Sequence, residues 1–515
     1  MKFVVFKASG KVNAVALGNI GQVLLLLAFV LRASIFKEYI FVNSDDFFHT
    51  FLDDITLGWH IQNRLQWLIT VPMSVGIQRY LFLSGPQYLH YLIGMSGPVV
   101  LFFVLRFLAG PSFALLYGSI YLSVQVSLES FHIPLGYSGI ALWYPLAIIG
   151  GWLAGTASKW PISGLLDKKR AFIGALLGCG AAAVYEYYAI VYLVLYLSTR
   201  SSALFRREEA QEDETLQSSE TSAPKIYQVN RSRAIAIMPV LFVLCLKLLG
   251  WFLARDIDGF NTYSGGRLFF DASPSFYNDS ILIAIQWILG ATIGQHSSTM
   301  EVKDIFNSPL SGLLFLTILS AALCGLVLAS DWIEEKTDIT RNLRVACLVG
   351  VVGFGGSTLI MGLFVVQLKA HEVFAWAGVN QGYSQQIADL ALPFVCILLC
   401  SAMSIIAIVL PFRSVASATF SLLLMLSLSA QLATWSAFGY LHDKSLYYSQ
   451  IKRRSAIISV LNLCSQRSKG LERVLDRLKA KRLEWAKPDF IDGKDWPEGV
   501  CRRLHGSDFF ITSNR

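Results

Sequence analysis

Ten apolar runs divide this chain, and each is long enough that its placement decides the fold. They cover residues 12–31, 88–108, 111–128, 137–157, 171–198, 235–254, 308–330, 345–366, 387–411 and 415–436. A run of about 18 apolar residues is long enough to cross the hydrocarbon core of a bilayer as a helix. Inside lipid only a helix or a closed barrel pairs all its backbone polar groups. These runs are continuous and not alternating, which argues against a barrel. The composition agrees: 54% of the 515 residues are hydrophobic and 15% charged, with a mean hydropathy of +0.52. The expectation is an all-α polytopic membrane protein with ten or eleven crossings.

Basic residues set the expected orientation. Lys2, Lys7 and Lys11 precede the run Val12–Leu31, which is too long for a signal-peptide core and reads as an uncleaved anchor. The N-terminus is then cytoplasmic and loop 32–87 lies outside. Arg106 falls inside, the loop around Glu129, Ser130, Phe131 and His132 outside, and Lys159, Lys168, Lys169 and Arg170 inside. The net charge of +8 reports orientation before it reports partners, and nothing local suggests nucleic-acid binding.

Residues 171–198 allow two readings. They cross once, or they form two short half-helices that meet near Val184–Tyr188, "VYEYY". The segment 199–233 holds Arg200, Arg206, Arg207, Lys225, Arg231 and Arg233 beside an acidic run, and its composition reads as a disordered cytoplasmic loop. Cytoplasmic arginines favour the hairpin. A second large outside loop, 255–307, then dips into the interface; the single-crossing reading instead makes 281–295 a true span.

The expected organisation is therefore a membrane domain over 1–436 and a hydrophilic tail over 437–515. The tail is expected outside, although Lys452, Arg453 and Arg454 close to the last span run against the positive-inside rule. Long segments translocate despite charge. Leu471, Val474, Leu475 and Leu478 mark one face of an amphipathic tail helix. Of eight cysteines, six lie in apolar runs and read as small hydrophobes, with no His or carboxylate beside Cys396 and Cys400 to complete a metal set. Cys464 and Cys501 lie in the tail; outside the membrane they pair, and otherwise they are free thiols.

Chemistry is concentrated just after the first run. "NSDDFFHTFLDD", Asn43–Asp54, places four carboxylates within ten residues. Asp45 or Asp46 suits a general base that takes a proton from a sugar hydroxyl, or a metal ligand. The structural alternative is an N-cap from Asn43, Ser44 or Asp45. Asp53 and Asp54 are the weaker pair and read first as the solvated face of a surface helix. The following "LGWHIQNRLQWLITVPMSVGIQRYL" is aromatic and periodic enough for helices lying on the membrane surface.

Glu186 stands alone among apolar and aromatic residues, and an ionisable group at membrane depth is a functional candidate by default; its plainer reading is a half-helix tip that reaches water. Tyr185, Tyr187 and Tyr188 suit a sugar platform or an interfacial aromatic belt. Lys247 and Arg255 share a broad helix face and suit a lipid phosphate, with snorkelling and interfacial anchoring as their plainer roles. Arg64, Arg79 and Arg267 are further phosphate donors in the outside loops. No phosphate-binding Gly-rich loop, H-E-x-x-H or G-x-S-x-G is present, so a reaction must draw its energy from an activated substrate.

The arrangement "SDDFFHT…LGWHIQNRLQWLITVPMSVG" resembles the entry motif of the GtrII-type O-antigen glucosyltransferases, the serotype-converting enzymes of phages and enteric bacteria, which have a GT-C fold. Asp45 and Asp46 match the family's acidic pair. "QNRLQWLI", with Arg64, stands where a Gly-Arg element is found, with Asn63 in place of the glycine. An arginine usually found shortly after the acidic pair is missing here, with His49 nearby. "YEYY" at 185–188 is similar to an aromatic-polar step in a later helix, with Glu186 in the polar place. The motif covers residues 40–80; elsewhere the likeness is one of layout.

The resemblance implies a bacterial inner-membrane enzyme with its active site facing the periplasm. The donor is a hexose, glucose first, on undecaprenyl phosphate, and the acceptor an O-antigen or another lipid-linked glycan. Transfer inverts. Asp45 or Asp46 is the base, while Arg64, Lys247 and Arg255 hold the donor phosphate and Glu186 the substrate. No cofactor is required, though the acidic pair leaves room for a divalent metal. Other GT-C enzymes, such as mannosyl-, arabinosyl- or protein-glycosylating transferases, suit the same loop. A lipid-linked glycan flippase or transporter wants more charge inside the spans than Glu186 and Lys247, and an assembly subunit tolerates neutral residues at Asp45 and Asp46.

Overall fold

Helix is the only regular structure among the described residues. The computed structural model describes residues 19–28, 30, 87–123, 142–157, 165–184, 187–214, 237–246, 248, 281, 285, 336–360, 385–409, 456, 459–460, 463–464, 470–481, 497–499 and 501–502. The main helices are α1 (Gln87–Ala109), α2 (Pro111–Ser123), α3 (Trp143–Ala157), α4 (Leu165–Val184), α5 (Tyr187–Glu214), α6 (Lys336–Ile360), α7 (Gln385–Val409) and α8 (Leu471–Ala480). Residues 19–28 add an N-terminal helical stretch. No helix is long and apolar enough to cross a membrane when only the described residues are counted. The expected spans at 308–330 and 415–436 lie outside those residues, as do loop 32–86 and the segment 255–280.

The chain turns tightly between α1 and α2. Gly110 takes φ 90°, a conformation that only glycine adopts cheaply, and its carbonyl accepts the Ala114 N–H at 3.2 Å. Pro111 then opens α2, where its missing N–H costs nothing. The N-terminal stretch runs antiparallel to α1 and parallel to α2. Leu25 and Phe102 both pack over Gly118, and Leu115 lies over Gly21. At the turn end Arg106 donates to Gln22 Oε1 and to Asn19 Oδ1, the latter at 3.2 Å.

α3 is the centre of the bundle, and it is packed through glycine. A Cβ on Gly150 would stand 2.7 Å from the Gly174 carbonyl oxygen of α4. One on Gly151 would stand 2.3 Å from the Tyr192 carbonyl oxygen of α5, and one on Gly155 2.6 Å from Thr199 Cβ. The pairs 143–180, 150–178 and 154–174 make α3 and α4 antiparallel, while 144–188, 151–192 and 155–199 make α3 and α5 parallel. Both α4 and α5 press closely on α3 and touch each other much less. Small residues four apart let helix backbones approach this closely.

That geometry resolves the 171–198 run into two helices. α4 and α5 are antiparallel arms joined across residues 185–186, which favours the hairpin over the single crossing. It also corrects the first part of the polar segment 199–233, because α5 continues as helix through Glu214, while 215–233 lies outside the described residues. Composition alone misses this: the stretch after Arg200 is rich in Ala, Arg, Glu and Gln, which are strong helix formers as well as polar residues.

α6 crosses back beside α5, with Ser357 against Tyr187, and α7 returns antiparallel to α6, with Phe394 lying over Gly353. In the tail the described residues are helical and turn segments. α8 buries Val474, Leu475 and Leu478, the face expected from sequence, and Cys464 is disulfide-bonded to Cys501, both fully buried.

Candidate functional site

The helix directions sort the bundle into two ends. Arg106 stands at the α1–α2 turn, Lys169 and Arg170 open α4, Arg200 lies thirteen residues along α5 from Tyr187, and Arg344 lies thirteen before Ser357 on α6. All belong to one end. At the other end α2 finishes and α3 begins, α4 hands over to α5, and α6 gives way to α7. The chain also leaves the N-terminal stretch and re-enters at Gln87 of α1 at this second end.

The α4–α5 handover is held by tyrosines. Tyr187 and Tyr188 are each only 1% exposed. The Tyr187 hydroxyl lies 2.6 Å from Ser357 Oγ, and that Oγ also donates to the Gly353 carbonyl at 2.6 Å, so the phenol is the donor to the serine. Tyr188 stacks on Tyr144 of α3 with ring centroids 5.6 Å apart and planes 11° apart. The Tyr144 ring in turn fills the space over Gly97 of α1, where a Cβ would come within 2.0 Å of it. Nearby on α2, Tyr117 donates to the Pro98 carbonyl at 3.5 Å and Tyr121 to Met95 Sδ at 3.9 Å. At 1.5 Å per residue the handover stands about 20 Å from the basic end.

Tyr187 and Tyr188 are therefore neither a sugar platform nor an interfacial belt. Both rings are walled in by α3 and α6, and the Tyr187 hydroxyl has a protein partner. A buried phenol is stabilised by such a partner, and Tyr187 finds it in a hydroxyl, Tyr117 in a carbonyl and Tyr121 in a thioether sulfur. The roles of Tyr144 and Ser357 were not anticipated; an apolar run gives no local sign of which serine will face which tyrosine.

The residues expected to carry chemistry, Asp45, Asp46, Arg64, Glu186, Lys247 and Arg255, all lie outside the described residues. Glu186 directly precedes Tyr187, and Lys247 lies between helical residues 246 and 248. Among the described residues no group of three or more His, Cys, Asp or Glu is placed to hold a metal ion. Cys396 and Cys400 are buried one turn apart in α7. No family model, no curated protein and no solved structure matches the chain.

Proposed function

We propose that the chain is a multi-pass membrane glycosyltransferase of GT-C type that moves a hexose from a polyprenyl phosphate to a glycan at the non-cytoplasmic face. The observation that carries this reading is the sorting of the two ends. The loop that holds Asp45, Asp46 and Arg64 leaves and re-enters the bundle at the end where α4 hands over to α5 beside Glu186. The basic residues lie at the opposite end, as the positive-inside rule asks of a cytoplasmic face.

Three further features support a bilayer. Large apolar side chains are exposed along whole helix faces: Ile20, Val23, Leu27 and Val30 in the N-terminal stretch, and Phe172 and Leu176 on α4. Such faces are aggregation sites in water and ordinary in lipid. α7 carries no charge from Ala391 to Val409. The Cys464–Cys501 disulfide suits a tail held in an oxidising compartment.

The chemistry follows from the carboxylates. Asp46 or Asp45 removes the proton from an acceptor hydroxyl as its oxygen attacks the anomeric carbon. The bond from that carbon to the phosphate oxygen breaks, the configuration inverts, and polyprenyl phosphate leaves. Arg64, Lys247 and Arg255 offset the charge that gathers on the leaving phosphate. Glu186, which directly precedes Tyr187 in sequence, binds the sugar from the membrane side.

The test is sugar transfer in isolated membranes supplied with radiolabelled undecaprenyl-phosphate-glucose. Wild type is compared with Asp45→Asn and Asp46→Asn at matched expression. Loss of the base lowers transfer by about 10²–10⁴-fold. Full activity in both variants, or none in wild type with several lipid-phosphate sugars, would falsify the reading and bring a flippase forward.

A further inference from the structure

The charge of this protein is concentrated where it is least expected. Residues 437–515 hold sixteen Lys and Arg against nine Asp and Glu, so seven of the eight net positive charges belong to the tail. A cytoplasmic location would explain that, but the Cys464–Cys501 disulfide speaks against one.

The helix α8 shows how the charge is arranged. Successive residues turn by about 100°. Val474, Leu475 and Leu478 therefore form one buried face, Glu472, Asp476 and Lys479 one flank, and Arg473, Arg477 and Lys481 the other. The first flank is turned to the segment 498–502. Lys479 is near enough to Glu498, and Glu472 to Arg502, for their charges to act on one another. Glu498 and Arg502 are themselves ion-paired. The second flank is purely basic. Arg473, Arg477 and Lys481 are exposed, repeat every fourth residue, and have no acidic partner among the described residues.

A cationic stripe next to a bilayer has an obvious complement. Each Lys or Arg gains by approaching an anionic lipid surface, and the gain falls off within a Debye length. The tail is tethered to the last apolar run, 415–436, so the surface it meets first is the bilayer it emerges from. We propose that the Arg473–Arg477–Lys481 flank of α8 docks on anionic phospholipid headgroups of the leaflet beside it, laying the disulfide-stapled tail on the membrane at the non-cytoplasmic face. The inference rests on the membrane part of the functional reading and is independent of the sugar chemistry.

The test uses the full-length protein in nanodiscs of phosphatidylcholine alone or mixed with phosphatidylglycerol. A neutral amine-acetylating reagent is added, and labelling of Lys481 and Lys479 is followed by mass spectrometry. Lys479, on the other flank of the same helix, is the internal reference. Docking slows Lys481 acetylation relative to Lys479 by about fivefold in the anionic discs, a factor that corresponds to one docked cation. The protection disappears in about 1 M salt, where the Debye length is near 3 Å. Arg473→Gln with Arg477→Gln weakens it while the disulfide still forms. Equal labelling of Lys481 in both lipids overturns the proposal, and so does protection that survives both the double substitution and high salt. Protection that arises only when a soluble anionic glycan is added also overturns it, in favour of the glycan as partner. Carbonate extraction of native membranes separates the two readings: a chain released by carbonate defeats the membrane assignment itself.

Discussion

The α3 seam and the tail hold helices together by opposite means. In the seam, α3 meets α4 and α5 through Gly150, Gly151, Gly155 and Gly174, so that main chains touch main chains. In the tail, α8 presents branched apolar side chains to a small core, and a disulfide closes the unit. Water drives the second arrangement, because burying Val474, Leu475 and Leu478 removes them from solvent. In lipid that drive is missing between helices, and close van der Waals approach takes its place. The contrast is the one expected of a chain whose bundle has the membrane setting proposed above and whose tail is in water.

The largest expected effect falls on the tail. Cys464 and Cys501 are 37 residues apart in sequence. A cross-link of that span stabilises a unit by about 4 kcal/mol in the chain-entropy model. A small unit without another staple has little margin beyond this. Cys464→Ser with Cys501→Ser should leave the tail open to trypsin at neutral pH, while the bundle keeps its melting temperature. A parallel fall in the bundle would break the comparison, since the two parts would then be one cooperative structure.

The seam predicts a smaller effect in the opposite place. Gly151→Ala drives a methyl into the Tyr192 carbonyl and toward Leu195 Cβ, which would lie 2.9 Å away. Both obstacles belong to a helix and cannot swing aside, so overpacking costs about 1–3 kcal/mol. Gly355 in α6 provides the control, because a Cβ there meets nothing within 4 Å. Gly355→Ala should be neutral or slightly stabilising, since alanine is the better helix former by about 1 kcal/mol. Thermal unfolding in detergent measures both. Equal losses at the two positions would mean that helix propensity and not backbone approach governs this bundle.

Much of this was legible in the sequence. The long apolar runs mark α1 and α7 within a few residues and the start of α2, and the leucine spacing of α8 marks its buried face. The 171–198 run announces its own ambiguity, since a lone glutamate among tyrosines fits a tip as well as a span. What escaped was partnership. "GGWLAG" and "GALLGCG" carry the small-residue spacing in plain view, but spacing does not say that Gly151 will face Tyr192 and Gly150 will face Gly174. The same holds for Tyr187 and Ser357, 170 residues apart. For the candidate site, residue types point to a base and phosphate donors, whereas the distance between them is a tertiary property that no local pattern encodes.

The smallest effect belongs to the tail's surface and sets a lower bound for the comparison. Glu498 accepts from Arg502 at 2.5 and 3.1 Å. That hydrogen bond, followed by the charge of Arg502, holds the Glu498 carboxyl below the ordinary glutamate range. A carboxyl whose pKa is lower in the folded tail contributes stability above its unfolded value, near about 4.3, and loses it as pH falls through the folded value. Both groups are in water, where such pairs contribute little. Trypsin would lose activity in acid, so pepsin below pH 4 and trypsin at neutral pH should be used in turn on wild type and Glu498→Gln. The variant should be slightly more susceptible at neutral pH, and the gap should narrow as the pH falls into the acid range. A gap at neutral pH as wide as that left by removing the disulfide would move the main support of the tail from its staple to its surface charge.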